Sequence, residues 1–400
     1  MKTYEEYKVS GVKWLGKVPK HWEICRFKDF ISLQTQTSLS ENKIGLENIE
    51  CATGKFIETN SEFEGNGIAF DVGDVIYGKL RPYLKKVWLS TFNGNAVGDF
   101  FVFRAKNTNS ASYIRYVMLS DGFTKEADGS TFGTKMPRVS SNFIMSMRYF
   151  LPPPFEQQAI ADYLDAKTEK MDQMIAKAEK KIEYLGELKQ SLITRAVTRG
   201  LNSNVPLKDS GVKWIGNVPK HWNIMRSRFL CSLKTGDKDT VNREENGTYP
   251  FYVRSPKIER INSYTFDGEA VLMAGDGVGA GKVFHYVNEK FDYHQRVYNF
   301  HNFKHVTVKY FFYYIRENFK YKIEEGGAKN TVDSVRKSMI QDFLVPIPPL
   351  SEQQQIATYL DIKCSKIDYI IATQKKKIAY LQELKQSLIT NVVTGKIKVS

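Results

Sequence analysis

Cysteine is scarce in this 400-residue chain: Cys25, Cys51, Cys231 and Cys364 stand far apart, and no two form a C-x-x-C pair. That spacing argues against a zinc site or a disulfide framework, and predicts reduced thiols in a cytoplasm. Long apolar runs are missing too. No stretch reaches the roughly 18 apolar residues of a membrane-spanning helix, and the opening MKTYEEYKVS lacks the apolar centre of a signal peptide. Acidic residues are outnumbered, with 44 Asp and Glu against 58 Lys and Arg, a formal net charge of +14. Such an excess points to an anionic partner, nucleic acid first, with plain solubility charge as the alternative. Catalytic signatures are also absent. The segment PPPF lacks the Asn of the methyltransferase motif NPP(F/Y), and no Ser or Cys has a recognisable base partner. The Glu-Leu-Lys at Glu187–Lys189 and Glu383–Lys385 resembles the end of a nuclease carboxylate motif but has no paired Asp on a strand.

What the chain does have is duplication. SGVKWLGKVPKHW, Ser10–Trp22, returns as SGVKWIGNVPKHW, Ser210–Trp222, differing only at Leu15/Ile215 and Lys17/Asn217. Pro152–Gly200 and Pro348–Lys396 share 30 identities over 49 aligned positions, with ELKQSLIT unchanged at Glu187–Thr194 and Glu383–Thr390. A period near 200 residues is too long for a solenoid and indicates a duplicated domain plus connector. The inserts between the repeats, 25–150 and 225–346, share only a loose pattern of short alternating runs, which predicts mostly β domains with one or two small helices.

After each proline cluster the apolar spacing changes to steps of three and four, predicting a helix from about Glu156 to about Val197 and a second copy. Roughly 40 residues at 1.5 Å each make a rod of about 60 Å. The stripe runs through Ile160, Leu164, Ile175, Ile182, Leu185 and Leu192, and in the second copy through Ile356, Leu360, Ile371, Ile378, Leu381 and Leu388. Two long, similar, charge-flanked stripes favour pairing as a coiled coil over two separate core helices. The expected fold is therefore α+β: two β-rich recognition domains with small helices, separated by two long antiparallel coiled-coil helices with pseudo-twofold symmetry. The expected boundaries are 1–150, 151–200, 201–346 and 347–400. Two different heads on one spacer suit two different DNA half-sites around unread base pairs.

The repeated SGVKW…PKHW segments, GDVIYGKLRPYLKKVW at Gly73–Trp88, LPPPFEQQAIADYLD and IPPLSEQQQIATYLD, and the ELKQSLIT helices occur together in order along essentially the whole chain. In that combination the sequence resembles the specificity subunits of type I restriction-modification enzymes. The resemblance implies two target-recognition domains, each reading half of a split, non-palindromic double-stranded DNA sequence. It implies helices that set the spacer and a frame that docks two methyltransferase (modification) subunits and the restriction (translocase-nuclease) subunits. It implies no catalytic centre and no cofactor in this chain, with S-adenosylmethionine, ATP and Mg²⁺ held by the partners, and a prokaryotic cytoplasmic setting.

Candidate DNA contacts come from residue chemistry. In GKLRPYLKK, Lys79, Arg81, Lys85 and Lys86 flank Tyr83, and an extended segment would put 79, 81, 83 and 85 on one face. A charged strand edge is the alternative. GSTFGTKMPRVS supplies Thr131, Lys135 and Arg138, and its counterpart GGAKNTVDSVRKS supplies Lys329, Asn330, Thr331 and Arg336. FDYHQRVYNF offers His294, Gln295 and Arg296, with no second ligand at metal spacing. AGDGVGAGKV matches GxGxxA weakly, but KVFHYV reads as a strand where a nucleotide site needs a helix, so a turn carrying Asp276 is expected. Trp14, Trp22, Trp214 and Trp222 are expected as anchors where head meets rod, or as partner contacts. Three other readings stand beside the leading one: a specificity subunit of a methylation-only or non-type-I complex, a self-sufficient nuclease or methyltransferase, and a coiled-coil protein scaffold.

Overall fold

The computed structural model describes residues 2–38, 41–325 and 334–399. The fold is α+β and divides into two compact units: Met1–Glu179 with Lys375–Ser400, and Lys180–Gln374. Both long helices contribute to both units. They span Pro154–Arg199 and Leu350–Val393, slightly longer than the spacing alone predicts. Proline at the first helical position costs nothing, because that N–H would have no helical partner. Gly200 and Gly395 stop the helices, with φ of 72° and 71° in the left-handed region and N–H groups bonded back to Ala196 and Val392. Among the described residues no helix is long and apolar enough to cross a membrane.

In the first unit, one four-stranded sheet runs in the order Ile31–Gln34, Phe100–Ala105, Val75–Gly78, Val87–Leu89. A second has the order Thr37–Ser38, Gly67–Phe70, Gly94–Ala96, Lys43–Ile44. In the second unit, one six-stranded sheet has the order Ser232–Thr235, Val297–His301, Phe266–Ala274, Phe284–Tyr293, Tyr249–Tyr252, Ile258–Ile261. Small helices cover the sheets, Ala111–Leu119 in the first head and Val308–Glu325 in the second.

The apolar stripe of the long helices serves more than a helix seam. Ile160, Leu164 and Leu388 belong to the core of the first head, with Trp22, Phe27, Tyr113 and Tyr149. Ile356 and Leu360 belong to that of the second, with Trp222, Phe311 and Phe343. Leu185 and Leu381 are buried on the helices, while Ile175, Ile182, Leu192, Ile371 and Ile378 are only half-buried. Periodicity shows which helix face is covered, not what covers it. In each unit the start of one long helix packs against the end of the other, so they run antiparallel. Lys385 Nζ donates to both Asp172 oxygens at 2.8 and 3.0 Å in the first unit, and Lys189 Nζ to both Asp368 oxygens at 2.6 Å in the second. Both lysines come from the repeated Glu-Leu-Lys.

The repeated segments lock each head to the helices. Ser10–Trp22 carries the second strand of a hairpin, Lys17–Pro19 against Tyr7–Val9, and the copy pairs Asn217–Pro219 with Leu207–Asp209. Trp22 and Trp222 are fully buried. Trp22 Nε1 donates to Glu156 at 3.3 Å, and Trp222 Nε1 to Glu352 at 3.1 Å. His21 and His221 Nε2 meet the same two carboxylates at 2.8 and 2.9 Å, and the Tyr4 hydroxyl also donates to Glu156. The next residue is the buried Gln157 or Gln353. Its amide accepts from the Ser110 or Thr307 N–H, next to the small head helix, and donates to the Pro152 or Pro348 carbonyl. Tyr149 and Tyr310 hydroxyls cap the far helix ends, donating to the Val393 and Val197 carbonyls. Trp14 and Trp214 are half-buried, stacked on Tyr149 at 5.7 Å and on Phe343 at 5.2 Å, so they lie within the heads' aromatic packing.

Candidate nucleic-acid interface

Two sequence candidates meet at one corner of the first head. Lys79, just past the strand Val75–Gly78, donates its N–H to the Asp99 carbonyl at 2.9 Å and accepts from Val139 N–H at 3.1 Å. Arg81 N–H reaches the Pro137 carbonyl at 2.8 Å, and Leu80 bridges Arg138. The segments 78–86 and 129–140 thus form one surface. The expected extended stretch through Lys85 is not there. Pro82–Leu84 forms a 3₁₀ turn flanked by Arg81 and Lys85 in the left-handed region, at φ 51° and 49°. Proline fixes its own φ and the two left-handed residues reverse the chain, so residues 79, 81, 83 and 85 share no common face.

This turn sorts the cations. Lys85 Nζ is held by Asp121 and by Gln386 Oε1 at 2.7 Å, and Lys86 Nζ donates to the Leu46 and Ile49 carbonyls at 2.7 Å each. Both lysines, named from the sequence as candidate DNA contacts, are turned to the protein's own groups. Arg138 grips Asp99 with two bonds of 2.9 Å, and Lys79 Nζ stands 3.8 Å from the same carboxylate. The Arg138 bonds hold the Asp99 carboxyl below its usual range. Thr131 Oγ1 is turned back to the Asp128 carbonyl at 2.8 Å. Arg81, Tyr83 and Lys135 stay exposed.

The second head repeats this backbone corner with other side chains. Gly275 N–H donates to the Arg296 carbonyl at 2.8 Å, its own carbonyl accepts from Val335 N–H at 2.7 Å, and Asp276 bridges Ser334. Lys79, Asp99 and Val139 therefore correspond to Gly275, Arg296 and Val335. Here the carboxylate is Asp276. Its Oδ1 accepts from Arg254 Nη1 at 3.2 Å, and its Oδ2 lies 3.6 Å from Arg296 Nε. Arg254, a residue that motif reading passes over, enters from just beyond the strand Tyr249–Tyr252.

The neighbouring candidates have distinct fates. Gln295 is exposed and donates to Asp239 Oδ2 at 2.7 Å. His294 is only 1% exposed, so its ring shapes the turn instead of presenting itself to a ligand. Its Nδ1 accepts from Arg296 N–H at 2.9 Å, which leaves Nε2 as the protonated nitrogen. Burial first and Arg254 second push the His294 pKa down. The glycine-rich loop leads into the strand Phe284–Tyr293, as expected for a turn and not a nucleotide cradle. Arg336 is exposed at the start of the short helix Lys337–Gln341, while Lys329, Asn330 and Thr331 lie outside the described residues.

Comparison with known proteins adds the lineage. The family model for the type I restriction modification DNA specificity domain matches residues 219–383. The type I restriction enzyme EcoDI specificity subunit of Escherichia coli is 30% identical over 182 residues, which span 46% of this chain and 40% of that one. The MjaVIII specificity subunit of Methanocaldococcus jannaschii is 22% identical over 100% of this chain and 98% of its own length. Among solved structures, a chain from a study of complex assembly and conformational transition in the type I R-M system superposes with a TM-score of 0.75 at 18% identity, covering 95% of this chain and 99% of that one. The HsdS subunit from Thermoanaerobacter tengcongensis gives 0.54 at 18% identity, over 95% and 98%. Residues 219–383 thus carry a type I restriction modification DNA specificity domain, and the whole chain, with its duplicated plan, two β-rich heads and paired long helices, is similar to type I restriction enzyme specificity subunits.

Proposed function

We propose that this chain is the non-catalytic DNA-specificity subunit of a type I complex. Each head reads one half of a bipartite, non-palindromic sequence, and the long helices set the number of unread base pairs between the halves. The repeated frame docks two methyltransferase subunits and the restriction subunits, which hold S-adenosylmethionine, ATP and Mg²⁺. One observation supports this reading above the others. Both heads present the same backbone corner, but one fills it with Lys79, Asp99 and Arg138 and the other with Arg254, Asp276 and Arg296. A common frame with exchanged polar side chains is what reading two different base sequences requires.

The test uses the chain assembled with its modification subunits. Methylated bases in exposed DNA are mapped, first for the native complex and then after residues 25–150 are replaced by those of a relative. One half of the modified sequence should change while the other half and the spacing stay the same. An unchanged sequence at both halves would sink the reading. Binding should also weaken steeply as salt rises, through counterion release. Failure to bind any duplex at low salt would leave the protein-scaffold reading in its place.

A further inference from the structure

We propose that Asp99 and Asp276 are positioning residues, each holding two cations at the equivalent corner of its head, and that Arg254 is a further base-reading residue of the second head. The inference rests on the DNA-reading function proposed above. It gives Asp276 a different role from direct acceptance of a cytosine amine, the role that its residue type alone suggests.

Accessibility separates the two kinds of group. The side chains of Asp99 and Asp276 are each 20% exposed. Their arginine partners are more open, at 34% for Arg138, 46% for Arg254 and 64% for Arg296. The carboxylates sit behind and the guanidiniums in front. Each oxygen of Asp276 already faces a guanidinium, so a base amine would have to share it with a cation. A lone carboxylate beside DNA would also be repelled by phosphate. Between two cations it leaves each corner with one net positive charge, which suits approach to the duplex.

The geometric argument is preorganisation. Arginine reads guanine by placing two donors in one plane against O6 and N7. A free arginine side chain samples many rotamers, and fixing it on binding reduces affinity and blurs the preferred plane. A carboxylate behind the guanidinium fixes that plane in advance, as outer groups orient the working ligands of other sites. The arrangement appears twice, at topologically matching positions, with the carboxylate contributed by a different strand end in each head. In the first head Asp99 precedes the strand Phe100–Ala105, and in the second Asp276 follows the strand Phe266–Ala274. Retention of the triad across that exchange argues for a function of the triad and not for an accident of one loop.

The test is base-preference profiling of the complex with its modification subunits, on a pool of duplexes randomised at both halves. Native protein should select bases at both halves. D276N and R254Q should each lower selectivity about 10-fold at one or two positions of the half read by the second head, and leave the other half unchanged. D99N should do the converse. D276N should keep or raise affinity for random duplex, because its arginines are freed, whereas R254Q should lower it. D276E should recover part of the selectivity. Second-half profiles within about twofold of native for both D276N and R254Q, or equal losses at both halves, would overturn the inference. R254Q replaces an open side chain, so it stays informative if D276N fails to fold. A native complex with no base preference would instead overturn the functional reading itself.

Discussion

The indole of Trp22 donates to the Glu156 carboxylate across 134 residues of chain, and Trp222 donates to Glu352 across 130. These bonds tie the duplicated opening segment to the first turn of each long helix, which accounts for a tryptophan and a carboxylate recurring together in both halves. Trp222→Ala removes a fully buried indole and should cost about 3–5 kcal/mol in chemical denaturation. Trp222→Phe should cost less, because Glu352 keeps His221 and partial access to water. Trp14→Ala and Trp214→Ala, which strip aromatic stacking, should weaken folding or subunit assembly. None of these changes should alter the bases that the remaining folded complex reads, and an altered recognition sequence would refute the anchor role.

Lys385 and Lys189 make the same bond in different surroundings. The Lys385 side chain is 7% exposed and Asp172 18%, whereas Asp368 opposite Lys189 is 57% exposed. Lys385→Met should therefore destabilise by about 1–3 kcal/mol, and Lys189→Met by less than about 1 kcal/mol. A double-mutant cycle with Asp172→Leu and Asp368→Leu measures both couplings. Equal couplings would contradict the role given to burial.

The basic residues of the first head should separate into two classes. Arg81→Ala and Lys135→Ala should weaken DNA binding and each reduce the slope of log affinity against log salt by about one. Lys86→Ala should leave the slope alone and lower stability, since its ammonium satisfies the Leu46 and Ile49 carbonyls. Salt titrations of the assembled complex, paired with unfolding curves, distinguish the outcomes.

Acid should loosen the second head selectively. Burial pushes the pKa values of His285 and His294 below their usual 6.5. As pH falls through 6.5 the unfolded chain takes up protons that the folded rings refuse. Their contribution is therefore full above 6.5 and is lost progressively towards the lower folded values. Both histidines lie in the second unit, and the first contains a single histidine, His21. Unfolding of the second head should move to lower temperature between pH 7.5 and 5.5, and His294→Gln should reduce the movement. Imidazole NMR titrations with midpoints at or above 6.5 would contradict this.

What could be read from the sequence depended on how local each cause is. The long helices were legible because steps of three and four residues, with prolines ahead and glycines behind, act within a few turns. The turn at Arg81–Lys85 was not, because its left-handed residues are held from far along the chain, Arg81 by the Pro137 carbonyl and Lys85 by the Ala52 N–H. Arg254 is one of 58 cations and meets Asp276 only through the fold. Glu156, Gln157, Glu352 and Gln353 did leave a signal. A Glu-Gln-Gln kept in both copies, one or two residues after a proline, is an unusual place to repeat a polar triplet unless its members have partners inside: Glu156, Gln157 and Gln353 are buried and Glu352 is half-buried.

The division of the chain also sets a timetable for synthesis. The second unit is a continuous stretch, Lys180–Gln374, whereas the first takes its last segment from Lys375 onward. Leu388, Ile389, Val392 and Val393 complete the core around Trp22 and Phe27. The head made first must therefore wait, with that core open, while the ribosome builds the whole second unit. At about 5–20 residues per second the wait is about 10–40 s. Until Leu388–Val393 arrive, the nascent first head therefore leaves exposed the apolar surface that they cover in the finished fold.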